Sequence, residues 1–173
     1  MSTLYDHIMS LRAVRQYSDT PLSDEHLDQI LEAARWTGSA KNLQLWSFIV
    51  VTGEQKERLC AAGDFLTPLL NATVGIALVE EPGGYEFDTG RLAQNIMLAA
   101  ASLGVASCPL TLHREEKAAE VLGLAAGSRA RYAVSLGYLP DDGKVARFGG
   151  QGGRKGRTDV VFDNTHGEPF DGS

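Results

Sequence analysis

The run from Asp88 to Leu103 constrains this chain more than any other. Leu92, Ala93, Ile96, Met97, Ala99, Ala100 and Leu103 make it apolar on most of its circumference when wound as a helix. A helix like that must be covered on more than one side, so it belongs at the centre of whatever the chain builds. Its alanines permit close approach of another helix. Asp88 or Thr89 is read as a simple cap, and Gly104 supplies the stop.

The other elements are shorter. Leu4, Ile8 and Leu11 predict a helix over residues 3–11. Ser23 caps a stronger one, with Asp24 and Glu25 in its first turn and Leu27, Ile30, Leu31 and Ala34 along one stripe. Residues 48–52, 74–79, 105–111 and 130–138 read as strands, and 54–62 and 114–122 as helices, the first with Glu and Lys on its exposed side; 65–70 is ambiguous. At 173 residues the chain is one domain with a core of its own. Residues 1–143 hold that core. Residues 144–173 cannot form one. They join the glycine-rich Gly149–Gly153 to an isolated, strand-like Val160-Val161-Phe162, an apolar triplet that needs a partner surface.

Several classes are excluded. Net charge is −6, which argues against nucleic acid as a partner. No apolar run is long enough to span a membrane, and no secretion signal is visible. Cys60 and Cys108 lack metal-ligand spacing and read as buried free thiols, so a cytoplasmic location is expected. The four histidines are scattered, and no nucleophile–base pair stands out. If the chain is an enzyme, a cofactor carries the chemistry.

Two stretches suggest a ligand. Arg12 and Arg15 follow the first helix and can point the same way, as a phosphate clamp or as a solvated helix end. Ser39, Asn42 and Gln44 sit between a helix and a strand. Amides there suit the edge of a planar heterocycle or, equally, an ordinary turn. Trp46 reads as core.

In order along the chain, these pieces resemble the FMN-dependent nitroreductase family. Arg12-Ala13-Val14-Arg15-Gln16-Tyr17 is similar to its N-terminal Arg-Ser-x-Arg-x-Phe element. Ile30-Leu31-Glu32-Ala33-Ala34 matches its Ile-Leu-Glu-Ala-Ala helix. Ser39 to Phe48 is similar to its Ser-x-x-Asn-x-Gln-Pro-Trp-x-Phe. Asp88 to Gly104 is similar to its central helix followed by Gly-Leu, and Arg154-Lys155-Gly156 stands where it has Arg-Lys-Pro. The resemblance implies an α+β fold: three layers, α/β/α, around a mainly antiparallel sheet, in a homodimer whose C-terminal arms are exchanged. It implies bound FMN, with NADH or NADPH as electron donor. A small nitro or quinone acceptor is then reduced through flavin N5 by a ping-pong mechanism. Arg12, Arg15, Arg154 and Lys155 would hold the phosphate, with Ala13 contributing backbone. Ser39, Asn42 and Gln44 would come from the partner. Pro109, Leu110 and Thr111 would lie along the ring, the Thr111 N–H near N5.

Gly38 and Leu45 replace prolines of the family pattern, Ala13 replaces its serine and Leu11 an arginine found in many members. The 52–88 region is short. A non-catalytic FMN-storing or sequestering protein, or a flavin-free interaction module, therefore stand as alternatives.

Overall fold

In the computed structural model, residues 3–140 and 153–170 are described. Helix α1 spans Leu4–Ser10, capped by Thr3, whose hydroxyl accepts from the Asp6 N–H while Asp6 reaches back to Thr3. Helix α2 spans Asp24–Arg35, with the Ser23 hydroxyl accepting from the His26 N–H as expected. Strand β1 follows at Trp46–Val51. Then come α3 (Gly53–Leu59), α4 (Thr67–Asn71) and β2 (Val74–Glu80). The chain continues with α5 (Glu86–Ser102), β3 (Ala106–Thr111), α6 (Glu115–Leu122) and β4 (Arg129–Gly137).

The four strands form one sheet in the order β1-β2-β4-β3, each pairing antiparallel. Side chains alternate across it, and each face has its own core. Ile76, Leu78, Val134 and Leu136 meet Ile30 and Ala34 of α2 and Leu92, Ile96 and Ala100 of α5 on one side. Ala77, Val79, Cys108, Leu110 and Ala133 meet Leu59, Leu69, Ala118 and Val121 of α3, α4 and α6 on the other. The three-layer α/β/α architecture and its antiparallel sheet are as the sequence predicts. Among the described residues no helix is long and apolar enough to cross a membrane, and both cysteines are free thiols.

Three expectations need correction. Asp88 and Thr89 do not cap α5. The helix starts at Glu86 after Tyr85, which makes no side-chain cap bond, and both residues lie buried inside the first turns. Lys56 is not on an exposed face. It is buried, and its ammonium donates to the carbonyls of Leu70 (2.9 Å) and Ala72, closing the end of α4. Val160–Phe162 does not form a strand. A 3₁₀ turn occupies Arg157–Asp159, and Phe162 makes a single bridge to Pro169. Gly104 ends α5 as expected, with φ +72°.

The central helix is incompletely covered. Leu92, Ile96, Met97 and Ala100 are buried, whereas Ala93, Leu98 and Ala101 are half-buried. Helix α1 packs on α5 without burying any residue of its own, and leaves Leu4, Tyr5, Ile8 and Met9 exposed.

Candidate functional site

The first half of the site hangs on the outer edge of β3. After α1 the chain runs without regular structure, and the Val14 N–H donates to the Ser107 carbonyl at 2.8 Å. Tyr17 fixes the far end. Its hydroxyl donates to the Val14 carbonyl (2.7 Å) and pairs with Ser135 Oγ (2.8 Å). Its ring lies where a Cβ on Gly137 would come within 2.9 Å of it. Burial pushes the Tyr17 phenol up, opposed by the Ser135 hydrogen bond and the nearby Arg15 charge. Burial also pushes the Cys108 thiol up, again opposed by Arg15. The Arg15 charge is thus held beside the middle of β3. Arg12 is exposed, and its guanidinium donates to the carbonyls of Met9 (3.0 Å) and Leu11 (2.7 Å) at the end of α1. Ala13 packs against the α3/α6 core, leaving its backbone to serve a ligand.

The strand's parity decides what β3 offers. Because the Ser107 carbonyl points away from β4, the backbone groups of Pro109 and Thr111 do so too. Pro109 has no N–H, which suits an open edge. Thr111 therefore presents its N–H outward. Leu110 is buried in the core and turns its backbone to β4.

The second half is the loop before β1. Lys41, Asn42 and Gln44 have φ of 53°, 54° and 51°, left-handed values that cost non-glycine residues roughly 1 kcal/mol or more each. The loop is closed on itself. The Gln44 N–H donates to Ser39 Oγ (2.9 Å), and Gln44 Nε2 donates to Asn42 Oδ1 (3.0 Å). The three side chains singled out in the sequence are therefore together, bonded to one another.

Helix α5 anchors this strained loop. Arg91 Nη1 donates to the Gly38 carbonyl at 2.6 Å and lies 3.4 Å from the Asp88 carboxylate. Asn95 Nδ2 donates to the hydroxyl of buried Thr37 at 2.8 Å. A Cβ at Gly38 would meet the Arg91 guanidinium at 3.0 Å, so the glycine that replaces a proline makes room for this clamp. The sequence reading missed Arg91 and Asn95. The only local signal was their place, three and seven residues after Asp88 on one helix face. Arg91→Ala is expected to loosen the loop and lower thermal stability by about 1 kcal/mol, since the arginine is partly solvated. Amide exchange at Leu43 and Gln44 should accelerate with it.

The two halves do not meet within one chain. The loop enters the sheet at Trp46, which pairs with Glu80 on one edge. Arg15 adjoins the Ser107–Cys108 part of β3 on the other edge, and Cys108 pairs with Ser135, which faces Gly75 and, beyond it, Val51. The halves thus lie on opposite edges of the sheet, three strand spacings (about 14 Å) apart; along it the Arg15 end is offset from the loop by about five residues (~16 Å) and the Thr111 end, level with Phe48, by about two (~7 Å). Arg154 and Lys155 are exposed on the 153–170 segment, while the preceding linker, from 144 to 152, lies outside the described residues. Among the described residues no cluster of His, Cys, Asp and Glu could hold a metal ion.

Comparisons with known proteins agree with this fold. The profile of the Nitroreductase family matches residues 8–62 and 80–138. A candidate NADH dehydrogenase/NAD(P)H nitroreductase of Archaeoglobus fulgidus is 36% identical over 147 residues, covering 78% of this chain and 84% of that protein. The NADPH-flavin oxidoreductase of Vibrio harveyi is 27% identical over 162 residues, covering 82% of this chain and 67% of that one. The structure of an FMN-dependent nitroreductase from Clostridium difficile R20291 superposes with a TM-score of 0.70 at 26% identity, covering 82% of this chain and 90% of the other. The chain belongs to the nitroreductase family of oxidoreductases.

Proposed function

We propose that the protein is an FMN-dependent NAD(P)H oxidoreductase working as a homodimer, with each flavin held by residues of both chains. The carrying observation is that the two half-sites lie on opposite edges of the sheet, three strand spacings apart. A two-fold partner can set its Ser39–Gln44 loop against the Arg15–Thr111 edge, which one chain cannot do for itself. The half-covered α5 and the exposed apolar face of α1 supply surface for such a pairing. The C-terminal arm, 144–173, is taken to cross to the partner and bring Arg154 and Lys155 with it.

The residues present suit FMN. Arg15, joined by Arg12, Arg154 and Lys155, neutralises a phosphate, for which guanidinium forks are well shaped. The backbone of Ala13 lies between the two arginines. The outward Thr111 N–H is a donor for the ring nitrogen N5, with Pro109 beside it and Leu110 packed behind. Ser39, Asn42 and Gln44 of the partner exchange their mutual hydrogen bonds for the ring edge. When bound, the flavin supplies a two-electron relay between a reduced nicotinamide and an acceptor. The acceptor is taken to be a small nitro or quinone compound, entering after the nicotinamide has left because both need the same open face. That order is ping-pong. Two free thiols suit a reducing, cytoplasmic compartment.

The visible spectrum of the purified protein tests this. A flavin band that bleaches with NADH or NADPH and returns with a quinone or nitro compound is expected. A colourless protein that takes up no FMN overturns the proposal. A stable flavin band that no nicotinamide bleaches replaces it with a storage role.

A further inference from the structure

The turn Gly63-Asp64-Phe65 is fastened with unusual thoroughness for a surface segment. Arg114 donates Nε to the Ala61 carbonyl (2.8 Å), Nη2 to the Gly63 carbonyl (2.8 Å) and Nη1 to the Asp64 carboxylate (2.5 Å). Its backbone N–H donates to the Ala62 carbonyl at 2.8 Å. The Arg114 hydrogen bond and charge hold the Asp64 carboxyl below its ordinary range. On the other side Leu66 is buried in the core with Leu112. Between these anchors Phe65 is turned out and 80% exposed.

Its neighbour is His113, whose ring stands edge-on to it with centroids 6.4 Å apart. The Asp64 N–H donates to His113 Nδ1 at 3.4 Å. In the neutral ring this leaves the proton on Nε2, free to act as a donor. The turn rests on the end of β3: a Cβ on Gly63 would lie 2.8 Å from the Thr111 carbonyl. An aromatic pair on a fastened turn, with the Nε2 proton of His113 available, therefore stands beside the residue assigned to the flavin ring. The rest of the stretch between β1 and α5 is occupied by the core helices α3 and α4 and strand β2, so this turn is the part of it that reaches the β3 edge.

We propose that Phe65 and His113 form the platform on which a planar aromatic electron acceptor stacks, with Arg114 as the positioning residue that holds it. This rests on the functional reading above and extends it to the acceptor. The Phe65 face covers the apolar ring. His113 Nε2–H donates to a nitro or quinone oxygen, as an electron-poor acceptor with peripheral oxygens requires. A compact, non-aromatic acceptor has no use for either group.

The test has two arms on the full chain. In the first, nitrobenzene is titrated into the protein as purified while the Phe65 and His113 ring signals are followed by NMR. Both signals are expected to shift, and Phe65→Leu to abolish the effect at His113. In the second, the ratio of kcat/KM for nitrobenzene to that for ferricyanide is measured. It is expected to fall by about tenfold in Phe65→Leu and to be restored in Phe65→Tyr, which keeps the aromatic face. An unchanged ratio overturns the proposal, as does a loss of dimer in Phe65→Leu by sedimentation, which would make Phe65 a subunit contact. If the protein oxidises no NAD(P)H, the functional reading fails and the first arm still decides: shifted ring signals uphold the platform, unshifted ones end it.

Discussion

Arg15→Ala is expected to weaken FMN binding by about 1.5–3 kcal/mol, at least about tenfold in Kd, read by titration of the flavin-free protein. The effect should exceed that of Arg12→Ala. Arg12 is exposed, so solvent and salt screen more of its charge. Arg15 sits half-buried, on a segment fastened to β3 by Val14 and to β4 through Tyr17. Little further order has to be imposed on it, and less of its interaction is lost to solvent. Because the contact neutralises a phosphate, the difference between wild type and Arg15→Ala should shrink as salt is raised. Arg154→Ala should behave similarly if the C-terminal arm reaches the same phosphate. Unchanged affinity in both variants would mean that the anchors lie elsewhere.

Gly137→Val is expected to lower stability by about 1–3 kcal/mol, seen as an earlier denaturation midpoint. The added Cβ alone would lie 2.9–3.0 Å from three atoms of the Tyr17 side chain, and two further methyl groups deepen the overlap. Either β4 or Tyr17 must yield. The strand is buried and paired on both sides, so Tyr17 is the one to move. It would then lose its bonds to Ser135 and Val14 and release the Arg12–Arg15 segment from the sheet edge. Flavin affinity should therefore fall along with stability. A variant as stable as wild type with undiminished FMN binding would show that Tyr17 does not position the arginines.

Much of this arrangement was legible in the sequence because local chemistry and burial agreed. Ser23 caps α2, Gly104 ends α5, and the apolar runs at 74–79 and 130–138 became the two central strands. Where residues serve a distant partner, the local pattern misleads. Asp88 carries a cap-forming side chain, yet it is buried within the first turn of α5 and oriented toward Arg91. Lys56 lies in a polar run, but its long stem lets the ammonium close α4 from inside. Val160–Phe162 has strand composition, but a strand needs a neighbour, and in one chain the segment turns instead. The site followed the same division. Arg15, Ser39, Asn42 and Gln44 were visible as types at suggestive spacings. The left-handed backbone of the loop was not, nor was its clamp, because Arg91 and Gly38 are 53 positions apart.

The central claim is that each flavin is held by two chains, and mixing two defective variants tests it most directly. Arg15→Ala damages one half-site and Asn42→Ala the other, so each homodimer should bind FMN weakly. Unfolded together and refolded, they form mixed dimers in which one site receives both intact halves. Recovery of tight FMN binding at about a quarter of all sites is the predicted result for random pairing. No recovery, with both variants folded and dimeric, would contradict it and place the whole site within a single chain.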